Sequence, residues 1–476
     1  MNNISEKKER SLTAVIVIAL SAVFISLIWN NNVWMDEAFT ASLVHTDFAG
    51  VIRQSMEDTL PPLYNILLKS MTTVFGYTTP VMKMTSVIPM ILTLLLSSTV
   101  VRKRFGFRTA VMFMLCIVFM PLMLYFGVEI RMYSLGFFFA TAAGVYAYEV
   151  VCDQSKKNIV LFSVFSALAG YSHHFAFITV AFAYLYLMLY WFFADRKKIR
   201  VWFNCLLITF VLYLPCLIVT LNQFSRVSGY FSMPDVDLPL FLQYVIYPYT
   251  TGMTAISALC LLVMLTGIVL FTVDLVRSKN PDPKSIYAIF CFGSYYGVLI
   301  FGTVISKIMS ANVFVDRYLF FATGLLWLFV AIVLPHRKKI GVLAVAAIIV
   351  TGVYTYSVQY HMEYDNSANE EIAFLRENIG AGDILYCMGG HEELENCIPF
   401  FTYLDKDTND LTFVYPLDEA IRTSVQNGTT LWIAVLDGFT PSEEDMQILS
   451  ENGLSMEHAA DFDFDRYKCE MYKVTR

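Results

Sequence analysis

The sequence predicts a polytopic α-helical membrane protein: about eleven transmembrane helices, further helices at the outer surface, and a small C-terminal α/β domain outside the membrane. Three observations predict it. Hydrophobic residues make up 57% of the 476 and charged residues only 15%, with a mean hydropathy of +0.57, more apolar surface than a soluble chain of this size needs. Apolar runs of near-spanning length recur through the first 360 residues. The net charge of −7 also hides a division: from His361 onward there are 24 acidic and 7 basic residues, against 16 and 26 before it.

The first run, 11–30, follows Lys7-Lys8-Glu9-Arg10 and ends near Trp29 and Trp34. Tryptophans suit a membrane exit, and no small-residue cleavage site is clear, so this is an uncleaved signal anchor with its N-terminus in the cytoplasm. Further runs lie near 80–101, 109–128, 133–151, 158–172, 175–194, 200–222, 252–276, 285–309, 313–335 and 340–360. Basic clusters fall at every second junction: Arg102-Lys103-Arg104, Lys156-Lys157, Arg196-Lys197-Lys198, Arg277-Ser278-Lys279 and His336-Arg337-Lys338-Lys339. The positive-inside rule puts all of them in the cytoplasm. Residues 61–77 are apolar but short, begin with Pro61-Pro62 and contain Lys69. Counting them as a span would invert every later loop, so they are expected to lie at the outer surface.

The external side then comprises the first loop, 31–79, the short turns at 129–132 and His173-His174, residues 223–251 and 310–316, and everything after 360. The domain division is a transmembrane domain, 1–360, and an extracytoplasmic α/β domain, 361–476. In the tail, Glu370 to Asn378 reads as a helix and Glu443 to Ser450 as another; 384–387, 411–415, 431–436 and 467–474 read as strands. The nine cysteines show no CxxC spacing. Five lie within apolar runs, and Cys387 and Cys397 could pair in an oxidising space.

Nearly all the unusual polar residues gather on the external side. Asp36-Glu37 follows the first run; a carboxylate there is either an acidic juxtamembrane turn or a general base that deprotonates an acceptor hydroxyl. Glu129-Ile130-Arg131-Met132-Tyr133 sits between two runs, where Arg131 either pairs at the interface with Glu129 or faces an anionic ligand while Glu129 orients it. His173 and His174 are adjacent and so do not form an HxxxH metal pair; either they sit at the interface or one hydrogen-bonds a substrate. Arg317, in Asp316-Arg317-Tyr318, either pairs with Asp316 or grips a phosphate with a forked pair of hydrogen bonds.

These elements, in this order, resemble the GT-C superfamily of membrane glycosyltransferases: the acidic pair, then Asp58-Thr59-Leu60-Pro61-Pro62-Leu63-Tyr64, then Glu129 to Tyr133, Tyr171 to Phe175, and Arg317-Tyr318. They are similar to bacterial members related to protein O-mannosyltransferases, aminoarabinose transferases and lipopolysaccharide-core galacturonosyl transferases. The sequence departs from that pattern at Leu60 and His174. The resemblance implies transfer of a hexosyl or pentosyl unit from a polyprenyl-phosphate donor to an acceptor outside the cytoplasm (glycolipid, wall polymer or protein), with inversion. Asp36 and Glu37 would be catalytic, and Asp58 would lie near the acceptor. Arg131 and Arg317 would hold the lipid phosphate, with Tyr64, Glu129, Tyr133, His173, His174 and Tyr318 lining the site. Asp36, Glu37 and Asp58 could hold a divalent cation such as Mg or Mn. The partners implied are the donor lipid, the acceptor and the bilayer, and no nucleic acid. A transporter or flippase of lipid-linked saccharides is the alternative, but transporters place polar sites near the midplane within inverted repeats, and no repeat is visible here.

Overall fold

The computed structural model describes the backbone of residues 2–57, 60–230, 236–278, 282–309, 313–388, 401, 412–436, 443–463 and 468–476; side chains of 2–5, 57 and 224–230 are not described. The chain forms two compact units. One comprises Met1–Leu27, Phe48–Met71 and Lys83–Gln359; the other comprises Ile28–Asp47, Thr72–Met82 and Tyr360–Arg476. A division falls at Tyr360, and two pieces of the first loop group with the tail.

In chain order the helices are α1 (Asn2–Ile25), α2 (Met35–Leu43), α3 (Phe48–Glu57), α4 (Leu63–Phe75), α5 (Thr79–Leu96), α6 (Arg102–Phe105), α7 (Phe107–Phe119), α8 (Met123–Val128), α9 (Tyr133–Cys152) and α10 (Lys156–Ser172). They continue with α11 (His174–Ala194), α12 (Ile199–Tyr230), α13 (Leu238–Ile246), α14 (Thr254–Arg277), α15 (Pro283–Met309), α16 (Phe320–Val333) and α17 (Lys338–Tyr364). Among the described residues, eight helices are long and apolar enough to cross a membrane, those built on α5, α9, α11, α12, α14, α15, α16 and α17. The other three expected runs fall on α1, α7 (13 residues) and α10 (17 residues). Helix α4, with 13 residues, is not among the eight. The protein is a multi-pass membrane protein.

The first unit is built around α16. Every residue from Phe320 to Val333 is buried, and a helix apolar all round belongs in an interior. Helix α9 lies against it through small residues: a Cβ on Gly136 would meet the Phe321 ring at 2.6 Å, and one on Gly324 would meet Phe137 and Thr141. Close backbone approach of this kind is how membrane helices gain packing contacts where lipid offers no hydrophobic driving force. The Tyr287 hydroxyl, buried on α15, donates to the Gly144 carbonyl at 3.0 Å. Helices α12 and α14 instead expose large apolar side chains, among them Phe203, Phe210, Ile218, Leu262 and Val269, as lipid-facing surfaces do. At the basic ends of the helices, Arg104 makes a forked pair with Glu149, both bonds 2.6 Å. Arg337 pairs with Asp274 at 2.5 Å, which gives this acidic residue near the basic end of α14 a structural role.

The tail of the second unit carries α18 (Ala368–Asn378), α19 (Leu417–Asn427) and α20 (Glu443–Glu451) with strands β1 (Ile384–Met388), β2 (Thr412–Phe413), β3 (Leu431–Leu436), β4 (Ser455–Asp463) and β5 (Lys468–Thr475). The sheet order is β2-β1-β3-β5-β4, with β1 parallel to β2 and β3, and β5 antiparallel to β3 and β4. Alternate residues Ile384, Tyr386, Met388 and Leu431, Ile433, Val435 pack with Leu417, Ala420, Ile421 and Leu449 of α19 and α20. On the opposite face Phe374 of α18 meets Trp432 and Phe462 edge-on. A sheet covered on both sides explains why β1 is apolar throughout. Cys387 is disulfide-bonded; Cys397, the partner expected from the sequence, lies outside the described residues.

Several sequence expectations differ from the structure. The first helix ends at Ile25 rather than near 30. Strand β4 and helix α19 were not foreseen: SMEHAADFD lacks β-branched residues, and α19 is marked mainly by an amphipathic spacing that seven polar residues dilute. The strand expected over 411–415 is described only at Thr412–Phe413.

Candidate active site

In the first unit, the segment between α8 and α9 is held from behind. The Arg131 N–H donates to the Glu129 carbonyl at 2.7 Å, making a tight turn. Ser86 Oγ, fully buried on α5, also donates to that carbonyl at 2.5 Å. Having one proton, Ser86 then accepts from the Tyr64 hydroxyl at 2.7 Å. Tyr64, expected to line a substrate site, is 2% exposed and serves as the outer member of this relay.

His173 caps α10 and opens α11 with an extended backbone. Its Nδ1 accepts from the Phe175 N–H at 3.0 Å, which puts the ring proton on Nε2. The ring lies 4.6 Å from that of Tyr318 and stacks on Phe321 at 4.5 Å. Burial, and then the neighbouring His174, Arg131 and Arg317, hold its imidazole well below its ordinary value, so it is neutral. Nε2 is buried without a hydrogen-bond partner among the described residues. A buried donor left unmade is costly, and such costs concentrate where a ligand supplies the missing acceptor.

Arg317 and Tyr318 sit in a 3-10 turn, Asp316–Leu319, where the Arg317 N–H donates to Asp316 Oδ1 at 2.7 Å. Tyr133 opens α9, is 1% exposed, and lies within electrostatic reach of Glu129, Arg131, Arg317 and Tyr318. Its ring is 6.1 Å from Phe321. Three segments distant in sequence thus converge: 129–133, His173 and 317–318. His174 points elsewhere. Its Nε2 bonds Gln223 Oε1 at 3.1 Å, and the Gln223 amide donates to the carbonyls of Ser55 and Leu60. That link fixes the chain just before Pro61.

The sequence reading missed Lys83. It is 1% exposed on α5, one helical turn from Ser86 and therefore on the same face. A lysine inside an otherwise apolar run is the signal that would have found it.

The second unit contains Asp36 and Glu37. Glu37 is 4% exposed, and its Oε2 accepts from the Trp34 N–H at 3.1 Å, closing the first turn of α2. Asp36, in the same turn, places its carboxylate near the helix N-terminus, which favours a negative charge. The approach to α2 is tied down within this unit: Asn31 donates to Asn369 at 2.8 Å, Asn32 to the Met362 carbonyl at 3.2 Å, and the Trp29 N–H to the Tyr364 hydroxyl at 3.3 Å. Asp58 lies outside the described residues. Among the described residues, no group of three His, Cys, Asp or Glu could hold a metal ion.

No protein-family model matches the sequence, and no curated protein matches it. The fold has solved counterparts. The crystal structure of ArnT from Cupriavidus metallidurans bound to undecaprenyl phosphate matches with a TM-score of 0.65 and 13% identity, over 97% of this chain and 97% of that one. The apo crystal structure of ArnT from the same organism matches with a TM-score of 0.64 and 12% identity, over 98% of each chain. At such identity the likeness speaks to fold, and it runs almost the full length of both chains. The chain shares the fold of ArnT over nearly its whole length.

Proposed function

We propose that this protein is a membrane glycosyltransferase that moves a hexosyl or pentosyl unit from a polyprenyl-phosphate-linked donor to an acceptor outside the cytoplasm, with inversion. The observation that carries the reading is the full-length fold match to an ArnT bound to undecaprenyl phosphate. In this reaction Asp36 takes the proton of the acceptor hydroxyl as its oxygen attacks the anomeric carbon. The bond from that carbon to the phosphate oxygen breaks, and the electron pair leaves with the polyprenyl phosphate. Charge building on the phosphate needs fixed cations in a dry site. Arg131 and Arg317 supply them, with Lys83 as a third. The neutral His173 Nε2–H is a further donor to a phosphate or sugar oxygen. Glu37 fixes the helix turn that presents Asp36, and Asp58 acts on the acceptor side. If a divalent cation takes part, Asp36, Glu37 and Asp58 are the residues that would hold it; no step above depends on one.

The basic helix ends face the cytoplasm in this account, and the second unit lies outside. The disulfide at Cys387 supports that orientation, because disulfides persist in oxidising spaces. The test supplies a panel of radiolabelled polyprenyl-phosphate sugars to membranes containing the protein. Labelled product with release of polyprenyl phosphate is expected for one donor. Movement of the labelled lipid between leaflets with no transfer would favour the flippase reading instead.

A further inference from the structure

A cavity with a strongly charged rim lies at the opposite end of α9 from Tyr133. It has a volume of about 850 Å³ and is formed where α1, α5, α6, α9 and α10 meet. Glu149, on its wall, is sixteen residues beyond Tyr133 on α9, about 24 Å along the helix axis. This cavity is therefore separate from the cluster around His173.

Its charges do not balance. Arg10, Arg102, Lys103 and Lys157 line it, with Glu6 and Glu149 as the only acids among the described residues. Glu6 is already paired with Arg10, and Glu149 is held by the Arg104 fork. Arg102 spends its Nε on the Ser98 carbonyl at 2.8 Å, while Lys103 and Lys157 have no ion-pair partner among the described residues. Three cations thus face one space without a counter-charge. Beside them the wall is apolar, with Val17, Ile18 and Leu95, and Ile18 is 70% exposed on the outer side of α1.

The backbone is adapted to this arrangement. Residues Ser97–Val101 form a π-helical turn between α5 and α6. A π turn inserts one residue into the helix and rotates everything after it by about 100°. Arg102 and Lys103 thereby share a wall with Ser98 and Thr99. Such turns are frequent at functional sites.

We propose that this cavity binds the headgroup of an anionic phospholipid from the leaflet at the basic ends of the helices. The phosphate would sit among Arg102, Lys103 and Lys157, with an acyl chain along Val17, Ile18 and Leu95. Basic pockets between membrane helices on the cytoplasmic side recognise lipid headgroups in this way, and an apolar wall has no use for a free inorganic anion.

The test is native mass spectrometry of the purified full-length protein titrated with phosphatidylglycerol, phosphatidylcholine or inorganic phosphate. One tightly held phosphatidylglycerol per chain is expected, with phosphatidylcholine bound far more weakly. The double variant Lys103→Gln/Lys157→Gln should bind phosphatidylglycerol roughly thirtyfold more weakly. The control Lys338→Gln/Lys339→Gln, on another basic junction, should bind it as the native protein does. Thermal unfolding of both variants in detergent checks that they remain folded, and Arg102→Gln serves as a second probe should the double variant unfold. Equal binding of the two lipids, or unchanged affinity in the folded variants, overturns the proposal. Displacement of the lipid by millimolar inorganic phosphate would assign the cavity to a soluble phosphate and overturn it too.

Discussion

The Tyr64 hydroxyl lies 2.7 Å from Ser86 Oγ, and Ser86 passes its own proton on to the Glu129 carbonyl. Two residues from α4 and α5 thereby set the turn that carries Arg131. Tyr64→Phe removes one end of the relay and should cost about 1 kcal/mol of stability. Ser86→Ala leaves a buried carbonyl with one partner fewer and should cost about 1–3 kcal/mol. Both should raise the donor KM more than they lower kcat, because they act through the position of Arg131. Thermal unfolding and steady-state transfer in detergent check this; unchanged KM in both variants would leave the relay a purely structural feature.

Gly136 lies where a Cβ would fall 2.6 Å from the Phe321 ring and 3.2 Å from Ala176 Cβ. Phe321 stacks on His173. Gly136→Ala should therefore displace Phe321 and tilt His173, with a stability loss of about 1–3 kcal/mol from overpacking and reduced transfer. A double variant with Phe321→Leu should recover part of both. No recovery would mean that Gly136 is needed for another reason.

His173 is neutral in the fold. Its charged form is disfavoured relative to the unfolded chain, so its contribution to stability is full above the ordinary histidine range and is lost progressively as pH falls from that range towards the lowered folded value. His173→Gln keeps an uncharged donor and should retain more transfer activity than His173→Phe, which keeps only the ring stacking. The gap between the two should persist from pH 7 to 9, as expected of a hydrogen bond and not of a cation. A gap that closes with rising pH would show that His173 works as an imidazolium.

How much of this could be read in the sequence depended on whether the signal was local. The apolar runs and the motifs at Glu129–Tyr133 and Arg317-Tyr318 are short and contiguous, and each falls at the end of a run, so they stood out. Ser86 sits inside a run, where a single hydroxyl blends into the apolar pattern, whereas the charge of Lys83 in the same run is a legible signal. The different use of His173 and His174 is not encoded in the dipeptide: one cap geometry sends the first ring toward Tyr318 and the second toward Gln223. The grouping of Ile28–Asp47 with the tail depends on pairs such as Asn31 and Asn369, which are separated by 338 positions. No periodicity reports contacts of that range.

Glu371 gives the second unit a pH dependence. It lies on α18, whose sequence ANEEIAFLREN is too polar to span, and it is fully buried. Burial pushes its carboxyl up to about 8, against a smaller lowering by the Cys469 thiol. The folded state therefore holds a proton that the unfolded chain has released. Stability of this unit should fall as pH rises from about 4.5 towards 8, by at most ~1.4 kcal/mol per pH unit, and level off above. Glu371→Gln should flatten the dependence. Melting followed by tryptophan fluorescence at several pH values checks it, and an unchanged slope in the variant would place the titration elsewhere.

The central claim is that Asp36 is the base for sugar transfer from a lipid phosphate. Its most direct test is the transfer rate of Asp36→Asn beside native protein and Glu37→Gln, in membranes at equal expression and saturating donor. A positioned base contributes about 10²–10⁴-fold, so Asp36→Asn should lower kcat by at least about a hundredfold with little change in donor KM. Glu37→Gln, which weakens the first turn of α2, should retain more activity and melt earlier. Transfer by Asp36→Asn at the native rate would contradict the account.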